Sequence, residues 1–174
     1  MAKAHFGSDN VSGIAPEILD AIVRANQGGV DSYGGDALTD SLNARFGELF
    51  ETEVRVLPVG TGSIANDLAI SFITPPWGAV YCHHDAHIMV DEANGPEFFS
   101  GGAKLADLPA EHGRLDPTTV HTAATAFDPT DIHHPMRAAL SITQATEWGT
   151  LYSVDQVKAL GAVARELDLA FHMD

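Results

Sequence analysis

Basic residues are scarce in this chain: 9 lysines and arginines stand against 24 aspartates and glutamates in 174 residues, for a formal charge of −15. Such a surface repels phosphate backbones and anionic lipid headgroups, so neither nucleic acid nor a membrane is expected as a partner. Cysteine is almost absent. Cys82 stands alone, which excludes an intrachain disulfide framework and suits a reducing cytoplasm, the expected compartment. No apolar run approaches the roughly 20 residues of a membrane span, and these residues show no basic-plus-apolar leader. What is present is a composition of 45% hydrophobic and 19% charged residues, that of one ordinary globular domain able to bury a core.

Helical and strand signals alternate along the chain. Pro16 opens a predicted helix through about Asn26, with Ile18, Leu19, Ile22 and Val23 on one face and Gly28-Gly29 as the stop. A second helix is predicted from Asp36 to Phe50, on the stripe Leu38, Leu42, Phe46, Leu49 and Phe50. Val54 to Val59 alternates as a strand, and Gly60-Thr61-Gly62-Ser63 turns it into a helix carrying Ala65, Leu68, Ala69 and Phe72. Short strands are predicted at Ala79–Cys82, Lys104–Leu108 and Ala138–Thr143, with a helix from Pro117 to about Ala126. Ser153 and Gln156 form a capping box for a helix to Leu167. The last run, Leu169 to Asp174, reads as a buried strand that delivers one acid to its C-terminal tip, where α/β folds collect ligands. A domain seldom finishes there, so a part of a longer protein is expected. Helices between short apolar strands imply an α/β fold, a mainly parallel sheet with helices on both faces.

Four constellations can carry chemistry. In Gly60-Thr61-Gly62-Ser63-Ile64-Ala65-Asn66, small residues at a helix start let backbone N–H groups approach an anion, and Ser63 adds a hydroxyl. The alternative is a tight turn and nothing more. In His83-His84-Asp85-Ala86-His87, with Asp91 and Glu92 following, a helix would stack His83, His87 and Asp91 on one face, suiting zinc. Against that, the segment follows a strand; His87 alone can instead lie flat over an aromatic cofactor ring, or the histidines are merely solvated. Asp131-Ile132-His133-His134 offers an imidazole for proton transfer, or a solvated pair. The buried carboxylate expected at Asp174 needs a cation or a donor, such as a protonated ring nitrogen, unless it only caps the next turn. A phosphate cradle, a stacking imidazole and a terminal acid are together what pyridoxal 5′-phosphate requires.

At this point the sequence resembles the low-specificity L-threonine aldolases, within the β-eliminating lyase group of fold-type-I pyridoxal-phosphate enzymes. The residues that carry the resemblance are Phe6-Gly7-Ser8-Asp9-Asn10 with Pro16-Glu17, Tyr33-Gly34-Gly35-Asp36, Gly62-Ser63-Ile64-Ala65-Asn66, and Asp85-Ala86-His87-Ile88 with Asp91-Glu92. They continue through the stretch from Gly95 to Leu105, then Asp131-Ile132-His133, Thr143 to Thr150, and His172-Met173-Asp174. The motifs occur in order over nearly the whole chain.

The resemblance implies an aspartate-aminotransferase-like fold, here an incomplete large domain spanning residues 1–174. It implies that Gly62 and Ser63 hold the cofactor phosphate, Ser standing where Thr is commoner. His87 would stack on the pyridine ring, Asp174 would pair with its nitrogen, and Ser8 would help hold the substrate carboxylate. His133, with His87, would lie near the β-hydroxyl of a threonine-like substrate, whose deprotonation starts the cleavage to glycine and an aldehyde. Family members continue past the acid with Gly-Ala-Arg and a later Schiff-base lysine, neither of which is here; the lysines are Lys3, Lys104 and Lys158. The resemblance implies that the small C-terminal domain of this fold would be missing too. The resemblance further implies a homo-oligomer acting on a small amino acid. Two other readings stand beside it: a related lyase eliminating a β-substituent, and a non-catalytic remnant.

Overall fold

Four strands hydrogen-bond in parallel in the computed structural model, which describes residues 11–174. The chain divides into two compact units at the Leu57–Pro58 junction. The first holds α1 (Pro16–Ala25) and α2 (Ala37–Phe50). Pro16 occupies the first turn of α1, where its missing N–H costs nothing. Asp36 caps α2, accepting from the N–H groups of Leu38 and Thr39 at 3.0 Å each. Thr39 Oγ1 donates to the same carboxyl, and this bond, ahead of the backbone ones, holds Asp36 below the usual carboxylate range. Val54 to Val59 forms no strand. The Val56 N–H is given to the Asn43 side chain at 2.8 Å, and among the described residues no strand runs beside the segment. Alternation makes an extended segment, but a strand also needs a partner ladder.

The second unit runs α3 (Gly62–Ile73), β1 (Gly78–His83), α4 (His87–Val90), α5 (Gly95–Phe99), β2 (Lys104–Leu108), α6 (Pro117–Ala124), β3 (Met136–Ile142), α7 (Val154–Glu166) and β4 (Ala170–Met173). The sheet order is β2-β1-β3-β4. β1 is buried at every residue, as an interior strand of a parallel sheet covered on both faces must be. Alternate side chains sort the core. Ala79 and Tyr81 of β1 join Leu140 and Ile142 of β3 against Val120 of α6 and Leu160 of α7. Val80 and Cys82 face the other way, with Ala139, toward Ile70 of α3 and Ile88 of α4. The predicted capping box is present: Ser153 Oγ accepts from Gln156 N–H, and Gln156 Oε1 accepts from Ser153 N–H at 2.8 Å.

Cys82, fully buried in β1, has its thiol pushed up to about 12, first by burial and then by the charges of Asp107, Glu97 and Glu147. A thiolate is the reactive form. The folded protein is therefore expected to leave a disulfide-exchange chromophore such as dithionitrobenzoate unreduced at mildly alkaline pH, and to react with one equivalent once unfolded in urea. Full labelling of the folded protein within seconds would contradict this packing.

Candidate active site

The parallel strands all end on one edge, and α3 returns to it. α3 finishes at Ile73, a short turn before β1 begins at Gly78, so it runs antiparallel to β1 and its N-terminus stands at the C-terminal edge of the sheet. The helix start is open. Thr61 Oγ1 accepts from the Ile64 N–H at 3.3 Å, and Thr61 O accepts from the Ala65 N–H at 3.1 Å. The N–H groups of Gly62 and Ser63 precede the helical ladder and point off its end. A side chain built on Gly60 or Gly62 would meet nothing within 4 Å. This leaves room for an anion against two N–H donors, the Ser63 hydroxyl and the positive end of a helix of three turns.

His87 opens α4 just past β1. Its backbone N–H donates to Glu147 Oε1 at 2.7 Å, tying it to the loop that follows β3. That loop is braced in turn: Trp148 Nε1 donates to Asp85 Oδ2 at 2.9 Å, and Thr150 Oγ1 donates to His112 O at 2.7 Å. The His87 ring lies 2.9 Å through Nδ1 from Glu92 Oε1. The Glu92 side chain is 1% exposed, the His87 side chain 42%. The same Oε1 accepts from Asn66 Nδ2 at 2.9 Å. A carboxylate oxygen only accepts, so Nδ1 carries the hydrogen, and Nε2 has no hydrogen-bond partner among the described residues. Asn66 lies one helical turn past Ser63. One buried carboxylate thus joins the helix that offers the anion cradle to the imidazole that offers a flat face.

Asp174 lies just past β4 on the same edge. Its N–H donates to Ile142 O at 3.0 Å, and its carbonyl accepts from Gln144 N–H at 3.0 Å. The parallel ladder therefore extends through it. Its side chain is exposed, where the sequence predicts a buried carboxylate. β4 is the last strand of the sheet, and nothing among the described residues covers its tip.

The other sequence readings fall in different places. The zinc arrangement of His83, His87 and Asp91 does not form. His83 is in β1, its Nδ1 accepting from the Asp85 N–H at 3.0 Å and its Nε2 contacting Ala110 O at 3.2 Å, so neither ring nitrogen is free. His83, His84 and Asp85 do bring ligand atoms within 4.8 Å of one another, but the committed His83 ring leaves that group short of a donor set. His133 does not join His87. It precedes β3, in a shallow groove with Pro76, Trp77 and Lys104 at the strands' N-terminal ends, and β3 carries the chain roughly 20 Å, at about 3.3 Å per residue, to the other edge. Ser8 lies outside the described residues. Gly62, Ser63, His87 and Asp174 share one edge. The sequence reading names Asn66 and Glu92 inside motifs without a role; the five-residue step from His87 to Glu92 matches no helical period, so only the fold reveals the contact.

The sequence model of the family described as Beta-eliminating lyase matches residues 5–174. Two proteins named Low specificity L-threonine aldolase, from Pseudomonas sp. (strain NCIMB 10558) and from Pseudomonas aeruginosa, are each 41% identical to this chain over 169 residues, covering 97% of it and 48% of themselves. The chain thus spans about half the length of the curated relatives it matches. Among solved structures, the threonine aldolase of Leishmania major superposes with a TM-score of 0.86 at 27% identity, over 94% of this chain and 47% of that one. N-Succinyldiaminopimelate aminotransferase from Mycobacterium tuberculosis superposes at 0.64 with 21% identity, over 92% of this chain and 42% of that one, a likeness of fold.

Proposed function

The chain belongs to the β-eliminating lyase family, and from that premise we propose that it is the N-terminal, cofactor-cradling part of a pyridoxal-phosphate-dependent lyase of the threonine aldolase type. The reaction proposed for the complete protein is cleavage of a β-hydroxy-α-amino acid between Cα and Cβ, giving glycine and an aldehyde. What supports the reading is the gathering of an open helix N-terminus, a half-exposed imidazole held by a buried carboxylate, and a strand-tip acid at one sheet edge.

The donor set suits the cofactor at each end. In the proposal the N–H groups of Gly62 and Ser63 bind its phosphate, Asp174 faces its protonated ring nitrogen, and His87 covers the ring. When bound, the cofactor supplies an electron sink for the pair released as the Cα–Cβ bond breaks. Glu92 and Asn66 keep the imidazole from turning, because its Nδ1 edge is anchored. Nε2 of His87 is then the nitrogen proposed to take the β-hydroxyl proton. A His133 contribution to the same site would have to come from another copy, given its place on the far edge. Ser8 remains proposed for the substrate carboxylate.

Of the lysines, Lys104 begins β2 at the far edge and Lys158 is exposed on α7. Neither occupies a position matching the family's Schiff-base lysine, and Lys3 lies outside the described residues; the 174-residue chain is proposed to cradle the cofactor without turning substrate over. Incubating the complete protein with L-threonine and L-allo-threonine is expected to yield glycine and acetaldehyde in equal amounts. A 2-oxo acid with ammonia instead would move the assignment to β-elimination. Turnover by the 174-residue chain itself would overturn the division of labour proposed here.

A further inference from the structure

Inside the α3-facing side of the sheet lies a polar pair that takes no part in the site described above. Ser141 of β3 and His172 of β4 are register partners across the parallel ladder. They are 2% and 9% exposed, and Ser141 Oγ lies 2.8 Å from His172 Nδ1. The same face is otherwise packed with Ile70, Val80 and Ala139. Burying a hydroxyl and an imidazole there is tolerable only because each bonds the other, and an apolar pair would serve the core at less cost.

The pair stands directly beneath the strand tip. Side chains alternate along a strand, so His172 and Asp174 rise from the same face of β4. The Asp174 backbone is fixed by its two ladder bonds, so its carboxylate moves only by side-chain rotation, on the face it shares with His172. Burial holds His172 below the usual imidazole range, with the Asp174 charge acting in the opposite direction as the smaller influence. The ring next to the acid is therefore neutral at neutral pH. A cation in that place would form an ion pair with Asp174 and compete for it.

We infer that Ser141 and His172 are positioning residues for Asp174, a hydrogen-bonded footing that sets the direction of the carboxylate and leaves its charge unclaimed for a cofactor's protonated ring nitrogen. The inference rests on the cofactor reading given above and adds to it two residues that touch neither cofactor nor substrate.

The test uses 4′-deoxypyridoxine 5′-phosphate, which keeps the phosphate and the ring nitrogen but has no aldehyde to react with a lysine. Its affinity for the 174-residue protein is measured by calorimetry at neutral pH, with a urea transition on every sample to establish folding. Asp174→Asn should loosen binding, and Ser141→Ala and His172→Leu should each loosen it by about tenfold. His172→Asn, whose amide reaches Ser141 where Nδ1 did, should recover affinity to within about threefold of the unaltered protein. Should His172→Leu not fold, Ser141→Ala, which removes one buried oxygen, decides the matter. Unaltered affinity in Ser141→Ala, or no recovery in His172→Asn, overturns the inference while Asp174→Asn still loosens binding. If the unaltered protein takes up no probe, or Asp174→Asn binds as tightly as it does, the cofactor reading falls and this inference with it.

Discussion

Replacing Glu92 with alanine is expected to weaken cofactor affinity by about tenfold, the cost of losing the group that orients a site residue, and to lower folding stability by about 1–3 kcal/mol. The two effects have different origins. Asn66 Nδ2 and His87 Nδ1 both give their hydrogens to Glu92 Oε1. With that oxygen gone, the Asn66 amide is left buried without an acceptor, and the half-exposed His87 ring turns toward water. The loss of stability is held down because Glu92 Oε2 is itself buried without a partner among the described residues, and its desolvation cost disappears with it. Glu92→Gln separates the two effects. It keeps an acceptor oxygen for both donors and puts an N–H₂ where the orphan oxygen was, so stability should change by less than about 1 kcal/mol. Affinity should still fall, since the neutral amide holds the imidazole less firmly than a carboxylate does. Paired urea and binding titrations on the two variants check this. An alanine variant with undiminished affinity would remove Glu92 from the site.

Leu140→Ala should be the most damaging single substitution in the sheet, destabilising by about 4 kcal/mol. Leu140 is fully buried and sits in β3, between β1 and β4. It belongs to the cluster that locks α6 and α7 to the sheet. Strands flank it on both sides, so the backbone cannot collapse into the cavity, and the cost belongs toward the upper end for a leucine truncation. The urea midpoint should move down with an unchanged slope. A shift worth less than about 1 kcal/mol would mean that the two helices are not held where the structure has them.

Much of this was legible without coordinates, because local rules decided it. Pro16 fixes a helix start through its locked backbone angle, and the Ser153/Gln156 box fixes one through bonds within four residues. The continuous apolar run at Ala79–Cys82 announced an interior strand. The failures are all non-local. Val54–Val59 has the alternation of a strand but no ladder partner among the described residues. His133 and His87 look equivalent as loop histidines, yet one precedes a strand and the other follows one, which puts them on opposite edges of a parallel sheet. The helical stacking of His83 with His87, which the preceding strand already argued against, does not form because β1 extends through His83. Glu92 escaped notice because its link to His87 spans a broken turn, and Asn66 because its partner lies 26 residues away.

β4 is hydrogen-bonded to β3 along one flank. Among the described residues no strand pairs with its other flank, which runs over four residues bearing no charged side chain. Such a border is a template for any extended peptide that drifts alongside. In concentrated solution, this margin rather than the −15 surface is where self-association of the 174-residue protein should begin. A lysine at Phe171, which is 38% exposed, would be the simplest guard against it.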